Sequence, residues 1–305
     1  MSERAIEIVE VTRRFGAKVA VDGVSLSVNR GEVYGLIGPN GAGKTTTFSM
    51  MCGYLRPSSG TLRVMGVDPR VDGALKGKIG VLPQDAILPG GWKVGPLLTY
   101  WGQLGGVANP EQEARTCLER VGLLEAWGVE THALSHGMAK RTAMAQALMG
   151  SPPLVLLDEP TAGLDPRIAN QVRQVIRELK DQHTTVVVSS HNLQELEQLC
   201  DAAAILDRGK LAQAGTMAEL TGQSAEFRVQ VARGTVIVPE LEALPGVTSA
   251  RMEEGETQLL VRFDGQAHKP EEVISRVVGH LLQTGVLILG VSRGRRLEER
   301  VLQLT

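Results

Sequence analysis

A glycine-rich segment between an apolar stretch and a predicted helix constrains this chain more than any other feature. Residues 38–46 read Gly-Pro-Asn-Gly-Ala-Gly-Lys-Thr-Thr and follow the apolar residues 33–37. Gly, four residues and then Gly-Lys-Thr is the phosphate-loop pattern, in which successive backbone N–H groups form an anion site at a helix N-terminus. The lysine of such a loop reaches the β- and γ-phosphates, and the next hydroxyl reaches Mg²⁺. The predicted nucleoside triphosphate site comprises Gly38, Pro39, Asn40, Gly41, Ala42, Gly43, Lys44, Thr45 and Thr46.

Length and composition fit a soluble protein. The 305 residues suffice for one large domain and a small one, or for two ordinary domains. With 43% apolar and 22% charged residues the chain resembles average globular proteins. No apolar run approaches the roughly 18 residues of a spanning helix, and acidic residues stand where a signal peptide has its apolar core. We expect a cytoplasmic protein that contacts a membrane only through a partner.

Charge and cysteine content exclude further classes. The formal net charge of −2 provides no basic field for nucleic acid, so we expect no nucleic-acid partner. Cys52, Cys117 and Cys200 are odd in number and far apart, which indicates buried thiols rather than disulfides or a metal cluster.

The N-terminal residues read as strands. Apolar residues alternate within residues 5–11 and again within residues 19–28, before the apolar stretch that precedes the phosphate loop. Phe15 falls in the first turn. An aromatic ring at this place can stack on a purine base or pack under the hairpin, and both interpretations stay open.

Residues 85–150 have helical character and form a predicted helical insert. Asn109, Pro110 and Gln112 provide an N-cap, a first-turn proline and a capping-box residue, and apolar residues follow at helical spacing. The insert also contains every tryptophan of the chain. These residues are Trp92, Trp101 and Trp127. Because large aromatic side chains often anchor protein interfaces, one interpretation is that they line a docking groove. The other is that they pack within the core of a helical subdomain.

Strands and helices alternate after the insert. The apolar run 154–157 ends in Asp158-Glu159-Pro160, as expected of a strand that is buried on both faces of a parallel sheet. A helix is predicted from Pro166 to Lys180, and an apolar strand at 185–188 precedes His191. The alternation predicts an α/β domain with active residues at the carboxyl ends of its strands.

From residue 221 the pattern changes to strand, helix, strand, strand, helix, strand and a last helix from Leu297. This βαββαβ order predicts a small ferredoxin-like α+β domain at residues 221–305. The segment has no catalytic pattern, so we expect stability or dimer contact rather than ligand sensing as its role.

The acidic pair at the end of the predicted strand 154–157 indicates hydrolysis. Asp158 would hold Mg²⁺ through its water shell, and Glu159 would polarise the attacking water. Ser135 is a predicted N-cap whose helix has free first-turn N–H groups. Gln84 and His191 each follow an apolar strand; either side chain would reach a γ-phosphate or satisfy a loop.

Taken together, these features resemble the ATPase subunit of ABC transporters. They are the phosphate loop, Gln84, Leu-Ser-His-Gly-Met at 134–138, the strand and acidic pair at 154–160, Gly-Leu-Asp at 163–165, and His191. The resemblance covers residues 4–220 and implies a P-loop NTPase fold with an antiparallel β subdomain and a helical subdomain at about 85–150. The remaining C-terminal segment resembles the tail domain of ABC-2 type exporter subunits.

By position, the resemblance implies a role for each site residue. ATP is the substrate and Mg²⁺ the cofactor, and two ATPs lie between two subunits that drive an integral-membrane permease docked near residues 84–101. A homodimer is favoured over a heterodimer. The implied roles are adenine stacking by Phe15, phosphate and metal contacts by Lys44, Thr45, Gln84 and Asp158, general base by Glu159, γ-phosphate contact by His191, communication between sites by Asp165, and binding of the facing subunit's ATP by Ser135 and Gly137.

One residue departs from the family pattern, and two rivals stay open. His136 stands where the family signature usually has glycine, which affects dimer closure or its pH dependence if the side chain matters. One rival is a soluble ABC-type ATPase that regulates a cytoplasmic assembly. The other is a binding module without turnover, which the presence of Glu159 and His191 opposes.

Overall fold

The computed structural model describes residues 4–85, 87–221, 226–233, 236–253, 257–265, 267–294 and 297–304. The chain divides into two compact units, one up to Gly215 and the other from Thr216 to Gln303. The strands of the first unit are β1 (Arg4–Phe15), β2 (Lys18–Asn29), β3 (Val33–Ile37), β4 (Ser59–Val64), β5 (Ile79–Leu82), β6 (Leu154–Asp158), β7 (Thr185–Ser189), β8 (Ala202–Asp207) and β9 (Lys210–Thr216). Its helices are α1 (Lys44–Met51), α2 (Val94–Gly105), α3 (Pro110–Arg120), α4 (His136–Leu148), α5 (Pro166–Asp181) and α6 (Leu193–Leu199).

Two sheets form the frame of the first unit. An antiparallel sheet has the strand order β2-β1-β4, and a six-stranded sheet has the order β5-β6-β7-β3-β8-β9. Every residue of β3, β6 and β7 is buried. Their continuous apolar sequences suit parallel strands that are covered on both faces, which is why the central strands carry no alternating polar residues.

The helical insert between β5 and β6 is built from α2, α3 and α4. Within it, Trp127 packs against α2 at a position where only glycine fits, because a Cβ on Gly95 would lie 2.2 Å from the indole ring. The Arg115 guanidinium covers the same ring at 3.8 Å from its centroid. The core-packing interpretation is therefore confirmed for Trp127.

The remaining elements are α7 (Met217–Thr221), β10 (Glu226–Arg233), α8 (Val238–Glu242), β11 (Val247–Glu253), β12 (Gln258–Phe263), α9 (Pro270–Gln283), β13 (Leu287–Arg293) and α10 (Leu297–Leu304). The strands form an antiparallel sheet in the order β11-β12-β10-β13. This order is that of a split βαβ, ferredoxin-like sheet, as predicted. Apolar residues of α9, among them Val273 and Val277, join Phe227 and Val229 of β10 in one core.

Cys52, Cys117 and Cys200 are buried and free, as predicted. Within the described ranges, no helix combines the length and the apolar content needed to cross a membrane.

Candidate active site

A cavity of about 430 Å³ lies where β3, β5 and β6 end at one edge of the six-stranded sheet. Parallel strands bring their carboxyl ends to the same edge, so residues that are far apart in sequence meet there. Of the predicted site residues, the cavity is lined by Asn40, Gly41, Gly43, Lys44, Thr45, Thr46, Gln84, Asp158 and Glu159.

The phosphate loop requires glycine at two crowded positions. Gly38 has φ 154° and Gly43 has φ 101°, both outside the region that side-chain-bearing residues favour. A Cβ on Gly38 would lie 2.3 Å from the Leu206 carbonyl oxygen, and one on Gly43 would lie 2.7 Å from that of Ala20. The loop is therefore pressed against neighbouring backbone, and α1 starts directly after it with Lys44.

Lys44 is held inside the loop. Its ammonium is part of a side chain that is 8% exposed and donates hydrogen bonds to the carbonyl oxygens of Gly38 at 2.7 Å and Pro39 at 3.2 Å. Burial lowers the pKa of Lys44, while the Glu159 and Asp158 carboxylates act in the opposite direction. These carbonyl contacts hold the charge beside the cavity, within reach of a phosphate that enters it.

Asp158 ends β6 and is almost fully buried. The Ser189 hydroxyl donates a hydrogen bond to its Oδ1. Burial raises the pKa of Asp158, whereas the Ser189 hydrogen bond and the ammonium groups of Lys44 and Lys140 lower it. A buried carboxylate with so few donors has capacity left for another cation.

Glu159 has an unusual backbone. Its φ is 51°, in the left-handed region that costs a glutamate about 1–3 kcal/mol. Its N–H donates to the carbonyl and to the hydroxyl oxygen of Ser189, both at 3.1 Å, which holds this conformation. Its Oε2 lies 2.8 Å from Nδ1 of His191, a side chain that is 69% exposed. Gln84, Glu159 and His191 are thus grouped at this edge of the sheet.

Ser135 and Gly137 occupy another place. Ser135 caps α4 and accepts a hydrogen bond from the Met138 N–H at 3.2 Å, as predicted. In the part of the chain that the structure describes, neither residue lines the cavity. Asp165 caps α5 by accepting from the N–H groups of Arg167 and Ile168, each at 3.1 Å.

Phe15 lies at the end of β1 and is 46% exposed, so it is not packed under the hairpin. The Arg13 guanidinium lies 4.5 Å from its ring centroid. Phe15 is absent from the described lining of the cavity, and adenine stacking stays a prediction. Two charged residues that were not predicted, Lys18 and Arg208, do line it. Lys18 begins β2 directly after a turn, and Arg208 lies in the turn between β8 and β9. Neither has a distinguishing pattern in the sequence, so only the fold identifies them.

The chain is similar to known sequences. The family model described as ABC transporter matches residues 21–162, and a model described as an AAA domain matches residues 128–197. The linearmycin resistance ATP-binding protein LnrL of Bacillus subtilis is 36% identical over 218 residues, which are 70% of each chain. The daunorubicin/doxorubicin resistance ATP-binding protein DrrA of Streptomyces peucetius is 39% identical over 220 residues, or 71% of this chain and 67% of that one. An uncharacterized ABC transporter ATP-binding protein of Synechocystis is 39% identical over 215 residues, and the matched part covers 69% of this chain and 60% of that protein's length.

Solved structures agree in fold. The ATP-binding subunit of an ABC transporter superposes with a TM-score of 0.66 at 26% identity, over 72% of this chain and 92% of that one. A dimeric bacterial ABC transporter cassette superposes with a TM-score of 0.65 at 23% identity, over 70% of this chain and 98% of that one. At this identity the likeness supports the fold alone. The cavity, the acidic pair and the relatives lead to the same conclusion: the chain belongs to the ATP-binding subunits of ABC transporters and is an ATPase.

Proposed function

We propose that this ATPase closes as a homodimer around two ATP molecules and drives a separate integral-membrane permease of the ABC-2 exporter type. The observation that carries the proposal is the separation of Ser135 and Gly137 from the cavity that Lys44 and Glu159 line. The first N–H groups of a helix have no partner within it and favour anions. The N-terminus of α4 would therefore bind the phosphates held by a facing copy.

Mg²⁺ fits the donors that line the cavity. The Thr45 hydroxyl, the Gln84 side chain and the Asp158 carboxylate supply oxygen atoms, which this cation prefers. When bound with ATP, Mg²⁺ neutralises charge on the β- and γ-phosphates. Thr45, Gln84 and Asp158 would hold the ion in the cavity beside the phosphate loop.

The chain's own residues would organise hydrolysis. The Lys44 ammonium would redirect N–H donors from the carbonyl oxygens of Gly38 and Pro39 to the phosphates, and would compensate the charge that develops there. Glu159 accepts a proton from the attacking water. His191 lies within hydrogen-bonding distance of that carboxylate and is exposed enough to contact the γ-phosphate as well.

A surface on the helical insert suits the permease. Trp92 and Tyr100 stack with ring centroids 5.3 Å apart, and Leu104 follows one helical turn later on α2. These side chains are 37%, 43% and 55% exposed. Exposed tryptophan and tyrosine side chains are typical anchors at the centres of interfaces, and we assign permease docking to this surface, formed by Trp92, Tyr100 and Leu104.

The docking surface can be tested with the double substitution Tyr100→Ser and Leu104→Ser. We expect permease recovery in detergent extracts to fall about tenfold or more, because each anchor typically contributes more than 1 kcal/mol. ATPase activity of the isolated subunit should be unchanged. The matched control is Tyr54→Ser, which removes a 71% exposed tyrosine from outside the insert. Undiminished recovery of the double variant would reject the surface, and a wholly soluble set of partners would favour an ATPase that regulates a cytoplasmic assembly.

His136 has a limited expected role in this scheme. Because Ser135 retains its cap when His136 is replaced, His136→Gly should leave dimerisation intact and change kcat by less than about tenfold, or ~1.4 kcal/mol. Steady-state ATP hydrolysis measures the effect. Complete loss of activity would show that the imidazole has an essential role of its own.

The proposal places the subunit on the cytoplasmic face of the membrane, attached through the permease. Names of relatives support an exporter: two are drug-resistance ATP-binding proteins, and a third is a Nod factor export ATP-binding protein of Paraburkholderia xenovorans, 35% identical over 213 residues. The C-terminal unit would contribute stability or dimer contact.

A further inference from the structure

Lys140 is a buried cation in α4 that none of the functions above uses. Its side chain is 3% exposed, and its ammonium donates a hydrogen bond to the carbonyl oxygen of Ala162 at 3.0 Å. A buried ammonium is costly unless it is paired or bonded. Burial lowers the pKa of Lys140, and the carboxylates of Glu159, Asp158 and Asp85 oppose that effect. The Lys140 ammonium therefore interacts electrostatically with the carboxylates of Glu159 and Asp158.

Besides the bond from Lys140, two close approaches join α4 to the loop after Glu159 within the described residues. An ideal Cβ on Gly163 would lie 3.3 Å from Nε2 of His136. One on Gly137 would lie 3.3 Å from a methyl carbon of Leu164. The first turns of α4 thus lie close to successive residues of the loop, and Lys140 donates a hydrogen bond to it.

The same loop is held from its other side by α6. The Thr161 hydroxyl donates to Oε2 of Glu195 at 2.7 Å, and Glu195 is 5% exposed. Within the loop, the Ala162 N–H donates to the Glu159 carbonyl oxygen at 3.2 Å. Displacement of Ala162 would therefore be transmitted to the backbone of Glu159, whose left-handed conformation depends on its surroundings.

We propose that Lys140 is a positioning residue that ties α4 to the loop from Glu159 to Asp165. Through this tie, the helix that binds the facing subunit's ATP would set the position of the general base in its own subunit. The inference rests on the proposed function, because only a composite site gives α4 a phosphate to bind. Lys140 would therefore affect the rate of ATP hydrolysis and not the binding of ATP in the cavity.

The test compares Lys140→Met with the adjacent control Arg141→Met. Arg141 also donates from α4 to backbone carbonyls, those of Gly122 and Val121, but these lie away from the loop. We expect Lys140→Met to lower kcat about 10- to 100-fold, because displacement of a catalytic group by about 1 Å has effects of this size. ATP affinity should stay within about twofold, since the cavity is unaltered. Arg141→Met should stay within about twofold in kcat.

Further variants separate positioning from simple stability. Lys140→Arg keeps a charged donor and should recover most of kcat, whereas a purely structural role would change only the amount of folded protein. If Lys140→Met does not fold, Lys140→Leu, which also lacks a donor, replaces it under the same thresholds. The double variant Lys140→Met with Asp165→Ala should be little slower than the slower single variant, because both act through one loop.

The outcomes distinguish the inference from the proposed function. Wild-type kcat per folded molecule in Lys140→Met, or an equal loss in Arg141→Met, would overturn the positioning role. Failure of the wild-type chain to dimerise with ATP would instead contradict the composite site, and the kcat comparison would still decide whether Lys140 positions Glu159.

Discussion

Glu159→Gln is expected to lower kcat by about 10²–10⁴ and to accumulate a dimer with ATP bound. The amide keeps the size of the side chain and leaves the backbone N–H bonds to Ser189 in place, so the cavity should still bind ATP. What it loses is the carboxylate that accepts the water proton. Hydrolysis then stops after closure, and the closed state persists.

Light scattering under saturating Mg-ATP measures this trapped dimer. Glu125→Gln, at an exposed residue of the helical insert, serves as the control and should hydrolyse ATP like the wild type. A monomer under these conditions, or turnover within threefold of the wild type, would contradict the assignment of Glu159 as the general base.

Lys44→Met should abolish detectable hydrolysis and most ATP binding. Methionine fits the space of the buried methylene groups of Lys44 but carries no charge to compensate that of the phosphates. Among the described residues that line the cavity, no other side chain donates hydrogen bonds to the carbonyl oxygens of Gly38 and Pro39. A ligand at 100 times its Kd stabilises a protein by about 2.7 kcal/mol, and that gain should vanish.

Thermal unfolding with and without Mg-ATP records the effect of Lys44→Met. Wild type should show a rise in Tm with ATP, and the variant should show little or none. Lys210→Met is the matched control, because this lysine forms a surface pair with Asp22 at 3.5 Å. An undiminished ATP-dependent rise in the Lys44 variant would remove the lysine from the phosphate site.

Much of the fold follows from local patterns. The apolar runs of β3 and β6 are long enough for one strand each; the phosphate loop follows β3, and β6 ends in Asp158. The cap at Asp165 and the proline after it define the start of α5. The alternation of strands and helices from residue 226 onward is regular enough to predict the ferredoxin-like order.

The site depends partly on features that local patterns do not encode. The left-handed backbone of Glu159 results from its bonds to Ser189, a residue 30 positions later. Lys18 and Arg208 line the cavity because β2 and the turn after β8 lie beside the phosphate loop: the Gly209 N–H donates to the Ala42 carbonyl oxygen, and the Asp22 N–H donates to that of Gly209. The contact from Lys140 to Ala162 joins segments 22 residues apart, and a lysine within a helix normally indicates an exposed face. Such contacts require tertiary structure.

The central claim is that each hydrolytic site takes its phosphate loop from one chain and its Ser135 from another, and mixing two inactive variants tests it most directly. One variant is Lys44→Met; the other is Ser135→Asp, which preserves a good N-cap but places a negative charge where the phosphate would lie. Each alone should be inactive.

An equal mixture of the two should regain about a quarter of wild-type ATPase activity, because half of randomly paired dimers are mixed and each has one intact site of two. ATP hydrolysis by the mixture and by its separate components is the measurement. Full activity of Ser135→Asp alone, at a rate per chain that does not depend on protein concentration, would contradict the account.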